Sequence, residues 1–170
     1  MEKYSTLLEE ALEAWYHARM GVISELENIP EEHWKFHPAK GTRTVRELAI
    51  HILEVAMMMT GELTRTDTNF KRAPWPKLLG TYAGPAYQLQ ERKETLNFLQ
   101  SQFDEAIRKF RDAGELHMLQ FMERFDGKQG TRLAWLYHGI AQEEYHRGQL
   151  TVYARLLGLE PALTKLIKGE

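Results

Sequence analysis

A chain of 170 residues with 43% hydrophobic and 27% charged side chains has enough apolar material for one packed domain and too much for disorder. Its formal charge of −2 argues against a phosphate-seeking surface, and therefore against nucleic acid as the partner. The absence of cysteine excludes thiolate metal sites, disulfides and cysteine nucleophiles, and no apolar run is long enough to span a membrane, so a cytoplasmic single domain over residues 1–170 is expected.

Apolar residues recur at three and four along four blocks. The first runs from Glu2 to Glu27, with Leu8, Leu12, Trp15, Val22 and Leu26 on one stripe and Tyr4, Leu7, Ala11, Ala14 and Ala18 beside it. Pro30 closes it. The second opens at Thr44-Val-Arg-Glu47, where Thr44 can satisfy a free amide while Glu47 reaches back, and continues through Leu63. Ala49, Leu53 and Ala56 widen its apolar arc beyond one core face, and helix one has two adjacent stripes. That excess predicts a homodimer. The third block spans Ala86 to Asp112 and stops at Gly114; the fourth runs from Thr131 to Leu157-Gly158. Four such helices predict an all-α, up-down four-helix bundle with long inter-helix loops. Residues 64–85, with Pro74, Trp75, Pro76, Gly80, Gly84 and Pro85, read as a functional loop (Trp75 as a lid or packed surface) or a crossover.

The core pattern breaks in helix four. Trp135, Gly139, Gln142, His146, Leu150, Tyr153 and Leu157 share a stripe, yet Gln142 to Gln149 contains no aliphatic residue. Polar groups left unpaired there would each cost about 1–3 kcal/mol. His51, at the border of the buried arc of helix two, can converge with Gln142 and His146 in the bundle interior, and neutral imidazoles suit zinc, nickel or copper. Other histidines have plainer readings. His33 and His37 straddle a loop, His17 pairs with Glu13, and His138 lies about 12 Å along the helix from His146, too far to share an ion. Met57, Met58 and Met59 read as core filling. Arg147 is expected to pair with Glu143 or Glu144.

The run Pro38-x-x-Gly41-x-x-Thr44-Val-x-Glu-Leu-x-x-His51, with Glu143-x-x-His146-Arg-Gly-Gln-Leu150 and Leu156-Leu-Gly158, resembles the DinB/YfiT-like four-helix-bundle superfamily over nearly the whole chain. That resemblance implies a divalent metal, zinc or nickel, on His51, position 142 and His146, in a damage-inducible protein. Position 142 departs from the family pattern, being Gln142 where histidine is usual; its amide oxygen is a weak neutral ligand. The resemblance further implies a metal-dependent thiol S-transferase, hydrolase or isomerase acting on an unknown small molecule, with Glu143 or Glu144 as base. The alternative is a catalytically silent stress-response bundle that binds a small molecule or serves as a dimeric scaffold.

Overall fold

The computed structural model describes residues 6–169. The expected helix start at Glu2 and the stripe position Tyr4 lie outside them. Four long helices carry the fold: α1 (Leu7–Asn28), α2 (Val45–Leu63), α5 (Arg92–Ala113) and α7 (Arg132–Leu156). Between α2 and α5 stand the short α3 (Trp75–Tyr82) and α4 (Gly84–Tyr87). Between α5 and α7 stand α6 (Glu115–Met118) and the hairpin of β1 (Phe121–Glu123) and β2 (Gln129–Thr131), and α8 (Ala162–Lys168) follows α7. Capping fixes the helix starts: Thr6, Thr44 and Thr131 each accept from a backbone amide three residues on, and Thr44 with Glu47 completes the expected capping box.

The four-helix bundle has a specific order. Contacts advance together along α1 and α7, from Trp15 and Glu143 through Gly21 and Arg147 to Asn28 and Glu160, so these two run parallel. Arg43 meets Tyr153 while Met59 meets Gly139, so α2 opposes α7. Arg111 pairs with Glu9 and Arg92 with Leu26, which makes α5 antiparallel to α1. Arg46 reaches Leu89 and His117 reaches Leu63, which makes α5 parallel to α2. The directions are thus up, down, down, up, and α1 and α2 each pack against both α5 and α7.

Two parallel neighbours need a return connection the length of the bundle, and residues 64–91 supply it. The segment expected as a loop over 64–85 is this crossover, partly helical, and buried Glu62 ties it to α2 by accepting from Arg72 and from the Tyr82 hydroxyl at 2.7 Å. Gly61 leaves room for the Tyr82 ring against α2. Ala49, Leu53 and Ala56 are buried by the same chain, and α3 and α4 lie on α2. The apolar width that suggested a second subunit is used within the chain. The third bundle helix begins at Arg92, not Ala86, because the carbonyls before it are already engaged: Arg46 donates to Leu89 O and the Trp34 indole to Gln90 O at 3.1 Å.

Beyond α7, buried Glu25 accepts from the amides of Ala162 and Leu163 at 3.1 and 3.3 Å and so caps α8, an element the sequence reading did not anticipate. No helix among the described residues is long and apolar enough to cross a membrane.

Candidate functional site

The buried apolar residues fall into two clusters. One gathers Leu12, Trp15, Met59, Phe103, Phe110 and Leu136; the other gathers Leu26, Leu48, Ile52, Leu99, Leu150 and Tyr153. Between them a polar layer crosses the bundle, formed by Arg19 of α1, Gln102 of α5, His51 and Glu54 of α2, and Gln142, Glu143 and His146 of α7. The middle of α7 lacks aliphatic residues because it supplies this layer from two of its sides.

On the side toward α1 the layer is closed. The Arg19 guanidinium, fully buried, donates to both oxygens of Glu143 at 2.9 and 2.6 Å, to Leu99 O at 2.8 Å and to Gln102 Oε1 at 3.1 Å. The Trp15 indole adds a bond to Glu143 Oε1 at 2.6 Å. Glu143 is therefore committed to a bidentate, charge-assisted pair. The suggested role of Glu143 as a base is not available to it, and Arg147 pairs with Glu144 at 3.1 Å, out toward solvent.

On the side toward α2 the layer is open, and the three sequence-predicted residues meet. The Gln142 amide nitrogen lies 3.2 Å from His51 Nε2 and 2.7 Å from His146 Nε2, and the two rings stand edge to face with centroids 4.8 Å apart. Each ring is anchored through its other nitrogen. His146 Nδ1 donates to Gln149 Oε1 at 2.9 Å, and His51 Nδ1 donates to Glu54 Oε1 at 2.5 Å. An amide oxygen can only accept, so His146 carries its proton on Nδ1 and presents a lone pair at Nε2; the Glu54 carboxylate, likewise an acceptor only, holds a proton on Nδ1 of His51 and leaves Nε2 to face Gln142. Gln142 then gives one N–H to each lone pair. Its nitrogen sits at the point on which both imidazoles converge.

The electrostatics hold this arrangement. Burial is the main cause that keeps His146 below the ordinary histidine range, aided by the nearby His51 and Arg43 and opposed by the Gln149 bond, so the ring is neutral at pH 7. Burial pushes the Glu54 carboxyl up, but hydrogen bonds from His51 and Tyr87 together prevail and leave it below its usual value. The Tyr87 hydroxyl donates to Glu54 Oε2 at 2.8 Å and, through burial first and that carboxylate second, is pushed up to about 12. It remains a donor. Sequence reasoning passed over Glu54 and Tyr87. The signal for Glu54 was the His51-x-x-Glu54 spacing on α2, whereas Tyr87 arrives by the crossover.

Two openings flank the centre. A broad, polar hollow of about 460 Å³ is lined by Arg43, Arg46, Glu47, Ile50, His51 and Glu54. A cleft of about 210 Å³ is lined by Val55, Met59, Trp75, Trp135, His138, Gly139 and Gln142, which puts Trp75 on the wall of an opening next to the centre. His138 rests on Trp135, with centroids 4.6 Å apart, and plays no part with His146. His37 bonds locally to Ala39 O at 3.0 Å, and His17 lies 3.8 Å from Glu13 in the exposed pair expected.

Two imidazoles with anchored Nδ1 atoms and convergent Nε2 lone pairs suit a divalent ion, and the Glu54 contact is the kind of carboxylate support that metal-binding histidines receive. The third position fits only if Gln142 turns its amide to offer oxygen. Among the described residues no group of three or more His, Cys, Asp or Glu side chains could hold a metal ion.

Comparison with known proteins agrees with this architecture. The family model described as the DinB family matches residues 1–169. A DinB-like protein from Bacillus subtilis is 19% identical with a TM-score of 0.66, covering 88% of this chain and 92% of its own. YfiT from Bacillus subtilis, described as a probable metal-dependent hydrolase with an unusual four-helix bundle topology, is 14% identical with a TM-score of 0.65, over 94% of this chain and 95% of its own. The mycothiol-dependent maleylpyruvate isomerase is 14% identical with a TM-score of 0.67; 85% of this chain matches 61% of that longer one. No curated protein matches. The chain belongs to the DinB family.

Proposed function

We propose that this chain is a divalent-metal-dependent enzyme, of the thiol-transferase or hydrolase kind, whose metal affinity is low. The observation that carries the reading is the convergence of the His51 and His146 Nε2 lone pairs on one point, each ring held there by its own Nδ1 partner. His51 and His146 would hold zinc or nickel, with Gln142 as third ligand through its amide oxygen. A bound ion would lower the pKa of a water or thiol at its open position and so supply a nucleophile at neutral pH. Glu54 orients His51, and Tyr87 orients Glu54 in turn. The polar hollow and the aromatic cleft would admit the substrate from either side of the centre.

Calorimetric titration of chelator-treated protein with zinc and with nickel tests this. Binding of one equivalent that disappears in His51→Ala and in His146→Ala is the expected result. No saturable binding in the millimolar range removes the metal reading. A second reading, a catalytically silent bundle that binds a small molecule, is favoured by one observation: the Gln142 amide already satisfies both imidazoles without any ion.

A further inference from the structure

We propose that the cleft between Trp75 and Trp135 is an aromatic subsite for a neutral, single-ring group that carries a hydrogen-bond donor, such as a benzylic alcohol, a phenol or an aryl thiol. As a substrate subsite this rests on the reading above; as a binding site it does not.

Size comes first. A dry cavity of roughly 150 Å³ lined by aliphatic and aromatic side chains accepts benzene. The 210 Å³ cleft therefore holds one ring with a short substituent. Its walls are braced from behind, because Phe70 and Phe125 stack in parallel at 4.6 Å, Trp75 meets Phe125 edge-on at 4.9 Å, and Trp135 lies 5.5 Å from Phe70. Phe70 is fully buried, so the indoles rest on fixed rings and a ligand has little to organise on entry. Gly139 keeps the floor clear: a Cβ there would already lie 3.2 Å from Met59 Cε.

Charge and hydrogen bonding select further. Among the described residues no carboxylate lines the cleft, and the cation over Trp135 is the protein's own Arg124, at 5.1 Å from the ring centroid, so an organic cation finds no counter-ion among them. Gln142 gives both N–H groups to His51 and His146, which leaves its carbonyl oxygen to accept from a ligand. A donor seated there lies beside the two imidazoles.

The test uses the full chain, stripped of metal and labelled with ¹⁵N. Its four tryptophans give four indole N–H signals, titrated with benzyl alcohol and with toluene. Saturable shifts are expected at Trp75 and Trp135, with Trp15 and Trp34, which bond to Glu143 and to Gln90 O, unmoved. Benzyl alcohol should bind about threefold more tightly than toluene, as one modest hydrogen bond requires. Trp75→Ala should weaken binding about fivefold, and Trp75→Phe should restore most of it. Gly139→Val should remove binding while the Trp15 signal reports an intact bundle. Linear shifts without saturation, equal shifts at all four indoles, or unchanged affinity in Trp75→Ala would overturn the subsite; equal affinity for the two molecules would overturn its donor preference. Repeating the titration with zinc separates the two proposals. Benzyl alcohol bound by protein that takes no zinc leaves the cleft standing and removes the metal reading, and the opposite result removes the cleft alone.

Discussion

On the α1 side of the polar layer, a guanidinium and a carboxylate surround each other with an indole, a backbone carbonyl and an amide. On the α2 side, two imidazoles share the nitrogen of one glutamine, and the space beyond them opens to solvent in two directions. Both groups interrupt the same helix, within four residues of each other. The closed half consists of two opposite charges, each the other's only charged partner, with their remaining hydrogen bonds made inside the protein. The open half consists of two imidazoles, backed by the Glu54 carboxylate and the Gln149 amide, whose inner partner Gln142 is neutral, half-buried and able to turn. A charged group shut inside a bundle must be matched at full strength, whereas a neutral imidazole tolerates exchange between an amide, water and an ion. The first arrangement suits a strut and the second suits a site.

The largest expected effect lies in the closed half. Arg19→Leu strands the Glu143 carboxylate, and the loss in stability should be about 3–5 kcal/mol by urea denaturation. The double variant Arg19→Met with Glu143→Leu removes both charges and should recover most of that loss. A single variant less than about 1.5 kcal/mol below the parent would mean that water reaches Glu143, and the contrast between the halves would collapse.

The open half was the more legible of the two in the sequence. His51, Gln142 and His146 stood out because a histidine at a helix border and a polar break in an apolar stripe leave a local mark, and they do meet. Glu143 was noticed in the same break and offered as a partner of Arg147 or as a base, whereas its carboxylate is held by Arg19. Its partner Arg19 sits among Ala18, Met20 and Val22 in a segment whose periodicity hardly registers one arginine, and nothing local says that it is buried. The crossover was harder still. The chain direction through residues 64–91 depends on which helices pair, and hydrophobic period reports the buried face of each helix without naming the neighbour that covers it. For that reason the width of the α2 apolar arc could not tell a second copy from cover within the chain, where Ala49, Leu53 and Ala56 are buried and α3 and α4 also pack on α2.

A middle-sized effect sharpens the open half. Gln142→His replaces the amide with a third imidazole at the convergence point, and the affinity for zinc or nickel should rise at least about tenfold, or ~1.4 kcal/mol. Calorimetry on both proteins measures it. Equal affinities would show that the amide nitrogen between the two rings is not at the place an ion would take.

The smallest effect expected is the most direct comparison with Arg19. His146 is as buried as Glu143 (each 2% exposed), so burial alone would predict similar costs of removal. Their partners differ. His146→Leu frees the side chains of Gln142 and Gln149, both half-buried and neutral, and either amide can rotate toward water or toward the flanking openings. No charge is stranded, because Glu54 keeps His51 and Tyr87. Leucine also adds apolar contact beside Leu150 and the second core cluster. The two contributions oppose each other, and the net change in metal-free buffer should stay within about 1 kcal/mol in either direction. Zinc should stabilise the parent on heating and leave His146→Leu unmoved. A loss of about 3 kcal/mol or more in metal-free buffer would place His146 with Arg19 as a strut, and the polar layer would then be structural from one side of the bundle to the other.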